Sequence, residues 1–351
     1  MSDKLIRNAY ESAVTMTAVL LAWSIALWLE GAAGLHTDSV VLAVVLTVTL
    51  ARTQRTADRR GRLTALALLP AVAALCALVG RLIAAHYWLG AAVFTAGLSL
   101  AVWIRRYGPA ATRAGTLITL PLVALLVVPG PALPPGAQHA LVNWAWSALI
   151  GVLAWSCVCL VQTLADTYGP WPAEAEPAGP RRVSRLRPRP STRMAVQMAV
   201  GVAASFALGR LLYGEHWPWP VLTAYVVVSG NRGRTDVLRK GVERLLGACA
   251  GTLLATGVAA AGLSGRTAVA VMFAVLAVAL WLRPLDYAYW AAGMTTALSL
   301  LLGWFGQDAE GLLPTRLGGI AVGAVLSVGA SWYLLPVQRP SWRRRTTERV
   351  A

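Results

Sequence analysis

Apolar stretches recur along the whole chain, separated by short breaks that are basic or rich in Pro and Gly. Many of them approach the roughly 20 residues that an α-helix needs to cross a bilayer core about 30 Å thick. The pattern predicts twelve spans. The first six cover roughly residues 13–29, 39–51, 63–84, 87–104, 114–128 and 140–164, and the second six cover roughly 194–213, 219–229, 245–263, 267–282, 287–305 and 312–335. The second span of each half is short for a bilayer.

Composition agrees with this pattern. Of the 351 residues, 57% are apolar and only 13% are charged, whereas a soluble domain carries about 25% charged residues. The chain is therefore predicted to be an all-α, polytopic integral membrane protein, and a globular cytosolic enzyme is excluded.

The basic residues orient the predicted spans. A net charge of +16 would indicate nucleic-acid binding in a soluble protein, but here position decides. All but four of the 31 Lys and Arg residues fall at the termini or in the even-numbered connections; the exceptions are Arg81, Arg210, Arg266 and Arg316. Because basic residues are retained on the cytoplasmic side, both termini are expected there, in a bacterial cytoplasmic membrane, and no nucleic-acid partner is expected.

The two halves of the chain repeat each other. A shift of 180 positions aligns identical residues, among them Gly34 with Gly214 and Arg52 with Arg232. Six spans per half give both halves one orientation, so we expect a pseudo-twofold axis along the membrane normal. The predicted organisation is a first six-helix repeat (1–167), a Pro- and Arg-rich cytoplasmic linker (168–190), a second six-helix repeat (191–337) and a basic tail (338–351).

Candidate anion-binding residues stand at the cytoplasmic end of the second span in each half. Arg52 and Arg59 in the first half recur as Arg232 and Arg239 in the second. Paired cations around an axis would form an electropositive mouth, although ordinary positive-inside topology also explains basic residues there. Arg316 lies about one turn inside the last span, and either faces a pore or snorkels to the lipid surface.

Other chemistry is weakly represented. No Asp or Glu lies deep in a predicted span, and no catalytic or metal-binding constellation is present, so we expect no enzyme, cofactor or metal. His36 and His216 recur outside the second spans. They would suit a pH-sensitive outer vestibule, and the alternative is an interfacial His without a function.

The second half contains three distinctive features: residues 216–228 (HWPWPVLTAYVVV), the basic residues Arg232, Arg239 and Arg244, and residues 315–324 (TRLGGIAVGA). In these features it resembles the fusaric acid resistance (FUSC) family of aromatic acid exporters. The resemblance implies a permease that exports organic anions, typically aromatic carboxylates, through an Arg-lined route between the repeats. Trp217 and Tyr225 are expected to contact the substrate along that route.

The resemblance also bears on partners. Many exporters of this family carry a large cytoplasmic domain between the halves and work with a periplasmic adaptor, and the short linker here makes an adaptor doubtful. The expected partners are a small organic anion and the lipid bilayer, with a homo-oligomer left open.

Three alternatives remain. Residues 57–62 (ADRRGR) resemble the loop signature of major facilitator carriers, although Gln54 stands where the first Gly of that signature is expected. A channel-like anion uniporter fits the missing membrane carboxylates equally well. A scaffold or membrane enzyme without transport activity would be favoured if charge reversals at the predicted arginines had no effect.

Overall fold

The computed structural model describes residues 2–35, 38–55, 59–127, 140–171, 190–230, 233–262, 265–304 and 313–334. These residues form helices and no strand. The first half contains α1 (Ser2–Ala33), α2 (Asp38–Gln54), α3 (Arg59–Ala85), α4 (Tyr87–Trp103), α5 (Pro109–Val127) and α6 (Ala140–Tyr168). The second half contains α7 (Pro190–Tyr213), α8 (Pro218–Val228), α9 (Arg234–Ala260), α10 (Gly265–Leu282), α11 (Tyr287–Trp304) and α12 (Leu313–Tyr333).

Each predicted span coincides with a helix, although the helices differ in length from the apolar runs. Helix α1 begins at Ser2 rather than near residue 13, because a helix can include charged residues in its first turns, whereas the apolar run cannot. Most of the predicted linker and the basic tail lie outside the described residues, so the proposed division into repeats and linker stays a prediction.

The helices identify a multi-pass membrane protein. Among the described residues, seven helical segments are long and apolar enough to cross a bilayer, and three shorter apolar segments accompany them. The shortest is α8, whose 11 residues extend about 16 Å at 1.5 Å per residue. That is about half the thickness of a bilayer core. Twelve complete crossings therefore remain a prediction.

The first half packs around α6, which contacts α1, α2 and α3. At the end of this half where the basic residues cluster, an ion-pair network centres on Asp166 of α6. Arg55 lies 2.5 Å from this carboxylate and Arg62 lies 3.6 Å from it. Gln162 donates a hydrogen bond of 2.6 Å to the carbonyl of Ala51. Some of the basic residues on this side thus have structural partners.

The second half packs through close backbone contacts. Helix α9 lies along α11, and α12 contacts α7, α8 and α9. A Cβ atom on Gly251 of α9 would lie 2.2 Å from the carbonyl oxygen of Ala292. One on Gly323 of α12 would lie 2.3 Å from the carbonyl oxygen of Pro220. Small residues that let helices approach this closely are typical of membrane interiors.

The two halves meet mainly where α4 packs against α7 and where α1 packs against α10. The α4–α7 contact is filled by aromatic rings. Phe206 packs edge-to-face on Phe94, with centroids 5.3 Å apart, and stacks on Trp217 at 5.1 Å. The α1–α10 contact is looser and adjoins a cavity.

Candidate functional site: a cation cluster beside an apolar cavity

Three basic residues converge at the basic end of the contact between the halves. Arg52 lies in the last turn of α2, Arg283 directly follows α10, and Lys240 lies in the second turn of α9. The charges of Arg52 and Arg283 both act on Lys240. Burial, and after it the positive charge of Arg52, lowers the pKa of Arg283 to about 10. We refer to Arg52, Lys240 and Arg283 as the cation cluster.

Aromatic rings hold two members of the cation cluster in place. The Arg283 guanidinium lies 4.5 Å from the centroid of the Trp290 ring, and the Lys240 ammonium lies 5.4 Å from that of Tyr287. Lys240 also donates a hydrogen bond of 2.7 Å to the carbonyl of Ser229. The cation–π contacts partly compensate burial. No described carboxylate forms an ion pair with any of the three cations.

An apolar cavity lies between the halves beside this cluster. It has a volume of about 100 Å³, is partly open, and lies between α1 and α2 on one side and α10 and α11 on the other. Its lining is aliphatic and aromatic, with one threonine. The lining residues are Trp23, Val40, Val41, Val44, Val45, Val48, Thr49, Val269, Met272, Leu276, Trp290, Met294, Ala297, Leu298 and Leu301.

The helix stripes that line the cavity lead to the cation cluster. On α2 the lining positions repeat at helical spacing as far as Val48, and Arg52 stands four residues further on the same face. On α10 the lining includes Leu276, and Arg283 follows two turns later. Trp290 belongs to the lining and also contacts Arg283. The site therefore combines an apolar compartment with positive charge at one end.

A second cationic site lies inside the second half. Arg316 of α12 is only 3% exposed and Arg244 of α9 only 5%. Arg316 donates a hydrogen bond of 2.5 Å to the Ser299 hydroxyl and one of 3.2 Å to the carbonyl of Thr295. Its guanidinium lies 4.5 Å from the centroid of the Trp219 ring. This burial rules out snorkelling of Arg316 to the lipid surface.

The predicted arginines separate in the structure. Arg52 joins the cation cluster and Arg316 lies in the buried site. Arg239 is 71% exposed on its side chain and forms ion pairs with Glu243 and, at 3.3 Å, with Asp286. Arg232 and the side chain of Arg59 lie outside the described residues. The predicted ring of four arginines around one mouth thus stays a prediction.

The two aromatic residues predicted to touch the substrate lie at the α4–α7 contact between the halves. Trp217 is buried in the core that joins α4, α7 and α8, and Tyr225 packs against the same core. Tyr225 lies beside Thr119 and within range of the charge of Arg105. Neither residue lines the apolar cavity.

The predicted histidines give little further information. His216 lies half-buried in a short 3₁₀ helix (Gly214–His216) that precedes α8. His36 lies outside the described residues. A pH-sensitive vestibule stays a prediction.

Sequence reasoning missed Lys240, Arg244 and Arg283 as site residues. Two signals pointed to them. When the sequences of the two halves are aligned, Arg283 pairs with Arg105 and Lys240 pairs with Arg60. Arg244 carries part of the family resemblance. Their roles depend on which helix faces which, and a single sequence does not contain that information.

The fold defines the class as a multi-pass, α-helical membrane protein. Residues 195–330 match the family described as fusaric acid resistance protein-like. This confirms the resemblance found in the sequence and indicates a membrane transport or resistance protein. Neither a curated protein nor a solved structure matches the chain.

Proposed function

We propose that the protein is a permease that carries aromatic carboxylates across the bacterial cytoplasmic membrane, out of the cytoplasm, along the contact between its halves. The observation that carries the proposal is the cavity between α1, α2, α10 and α11, with the cation cluster at one end. An aromatic carboxylate has the same division, an apolar ring and a single negative charge.

The ring is accommodated by the apolar lining. Trp23 and Trp290 supply flat surfaces, and Met272 and Met294 are flexible side chains that adapt to different ring substituents. Burying a ring against such a surface is worth about 25 cal/mol per Å² of apolar area removed from water. Size and hydrophobicity, rather than specific hydrogen bonds, would then select the substrate.

The carboxylate is attracted by the cation cluster. Arg283 and Lys240 are half-buried, and at an effective dielectric constant of about 20 a charge pair 4 Å apart interacts by about 4 kcal/mol before desolvation is counted. Arg52 comes from the first half, whereas Lys240 and Arg283 come from the second. A relative movement of the halves would therefore change the strength of the site, as alternating access requires.

The helix contacts support a pseudo-twofold arrangement of the halves. The contacts of α1 with α2 and α6 recur as contacts of α7 with α8 and α12. The α1–α10 contact and the α4–α7 contact exchange when each helix is replaced by its counterpart in the other half. Only the first of them adjoins the cavity, so the proposed route runs along one side of the pair.

Flux of labelled benzoate into proteoliposomes tests the proposal. Val44 lines the cavity, so Val44→Trp is expected to abolish flux, while Val325→Trp on a side chain that is 70% exposed leaves it unchanged. Arg283→Gln is expected to lower kcat/KM about tenfold, or ~1.4 kcal/mol, because two cations of the cluster remain. Arg81→Gln, at an exposed arginine, serves as its control.

Three further arms make the result specific. Protein-free vesicles measure the passive crossing of neutral benzoic acid, and acetate in place of benzoate tests the need for a ring. Imposing membrane potential and pH gradient separately distinguishes a proton-linked carrier from a channel-like uniporter. Wild-type benzoate flux in both Val44→Trp and Arg283→Gln would contradict the proposed route.

A further inference from the structure

Arg244 and Arg316 are buried together without a counter-charge. Both are at least 95% buried, and the positive charge of Arg244 acts on Arg316. Within the described part of the chain neither forms an ion pair with a carboxylate. Arg316 is held by Ser299, Thr295 and Trp219, and Arg244 lies close to Tyr287. All of these partners are uncharged.

Two like charges in such a place require compensation. Charged groups inside a membrane protein are costly unless they are paired, and a buried charge left without its partner is strongly destabilising. Here two guanidinium groups share one low-dielectric environment and repel each other. Neutral partners satisfy hydrogen bonds and leave the net charge of +2 in place.

The same region contains unused hydrogen-bond donors. The Nε atoms of Arg244 and Arg316 are buried without a partner, as are the hydroxyl oxygens of Thr252 and Thr295. These groups lie on facing helices. The backbones of α9 and α11 come so close that a Cβ on Gly251 would lie 2.9 Å from the Cβ of Thr295. Buried guanidinium and hydroxyl groups with unused hydrogen-bonding capacity are suitable ligands of an anion.

We propose that Arg244 and Arg316, with the hydroxyls of Thr252 and Thr295, bind a small monovalent anion inside the second half. Its chemistry is a single negative charge that accepts several hydrogen bonds. Chloride and the carboxylate group of a transported acid both have it, and the experiment below separates them. The site lies within α9, α11 and α12 and does not depend on the route proposed between the halves.

Thermal unfolding of the purified full-length protein tests the site. At constant ionic strength, chloride replaces gluconate in one series, and benzoate replaces gluconate in another. Binding to the folded state raises the midpoint with anion concentration, and we expect a rise of about 3 °C in the wild type. The rise is expected to be lost in Arg316→Gln and Arg244→Gln and kept in Arg81→Gln.

The outcomes separate the sources of the anion. A rise with chloride but not benzoate identifies a resident inorganic ion, and a rise with benzoate but not chloride assigns the site to the transported acid. The proposal is overturned if neither anion raises the unfolding midpoint of the wild type, or if the midpoint rises as much in both arginine variants as in the wild type. Wild-type benzoate flux in Val44→Trp and Arg283→Gln, together with a chloride shift that is lost in the Arg244 and Arg316 variants, would overturn the proposed route and leave this site intact, so the two proposals fail separately.

A second measurement needs no variant. Wild-type crystals soaked in bromide or 4-bromobenzoate are examined for anomalous scattering from bromine. A peak in contact with Arg244 or Arg316 supports the site. Peaks confined to other parts of the protein, or no peak with either probe, contradict it even if the arginine variants fail to fold.

Discussion

Gly251→Ala is expected to force α9 and α11 apart. The new Cβ would lie 2.2 Å from the carbonyl oxygen of Ala292 and 2.9 Å from the Cβ of Thr295, where ordinary contact begins near 3.4 Å. Because the nearest obstacle is backbone, no side-chain rotation relieves the clash. The helices must separate by about 1 Å, and overpacking of this kind costs about 1–3 kcal/mol.

The same separation lengthens a hydrogen bond. The hydroxyl of Thr296 can donate to the carbonyl of Gly251 at 2.9 Å or to that of Ala292 in its own helix at 3.0 Å, so the second acceptor replaces the first. The expected total therefore stays about 1–3 kcal/mol. Gly257→Ala on the same helix provides the matched control, because a Cβ there would have no heavy atom within 4 Å. Alanine is the better helix former by about 1 kcal/mol, so this variant is expected to be at least as stable as the wild type.

The assay is thermal unfolding of the two purified variants in the same detergent, followed by intrinsic tryptophan fluorescence. The midpoint of Gly251→Ala is expected about 3–5 °C below that of Gly257→Ala. Equal midpoints would refute the close packing of α9 on α11, on which the proposed anion site depends.

Two further predictions concern one half of the protein each. Asp166→Asn removes the carboxylate that pairs with Arg55. We expect it to lower the free energy of unfolding by about 1 kcal/mol, because both partners remain partly open to solvent. A double-mutant cycle with Arg55→Gln measures the coupling energy, and additive effects of the two substitutions would contradict the ion pair. The new Cβ of Gly323→Ala would lie 2.3 Å from a backbone oxygen, whereas that of Gly329→Ala would have no heavy atom within 4 Å. In urea or on heating, the free energy of unfolding of the first variant should therefore be lower than that of the second by about 2 kcal/mol. The reverse order would show that α8 and α12 are not in close contact.

The site was only partly predictable from the sequence. The sequence predicts Arg52 and Arg239 from their repeated positions in the two halves, and Arg316 from its place inside an apolar span. The structure places Arg52 and Arg239 at exposed positions, where Arg239 is ion-paired, and buries Arg316. Burial is decided by which face of a helix meets another helix.

The apolar cavity could not be foreseen at all. Its lining joins Val44 to Met272, residues more than 200 positions apart. Every position in it reads as an ordinary membrane residue, because valine and methionine are equally at home against lipid and against a substrate. Similarly, Trp217 was expected along the route and lies instead in the core around Phe206.

The sequence by itself determined the class of this protein. Apolar runs of membrane length require helices, since backbone polar groups in a bilayer must be satisfied within the segment, and the asymmetry of basic residues predicts orientation. The tertiary structure alone decided which cations are brought together. Arg52 comes within electrostatic range of Lys240 and Arg283, and Arg244 within range of Arg316, because helix packing joins distant segments through contacts whose partners are not encoded in any local pattern.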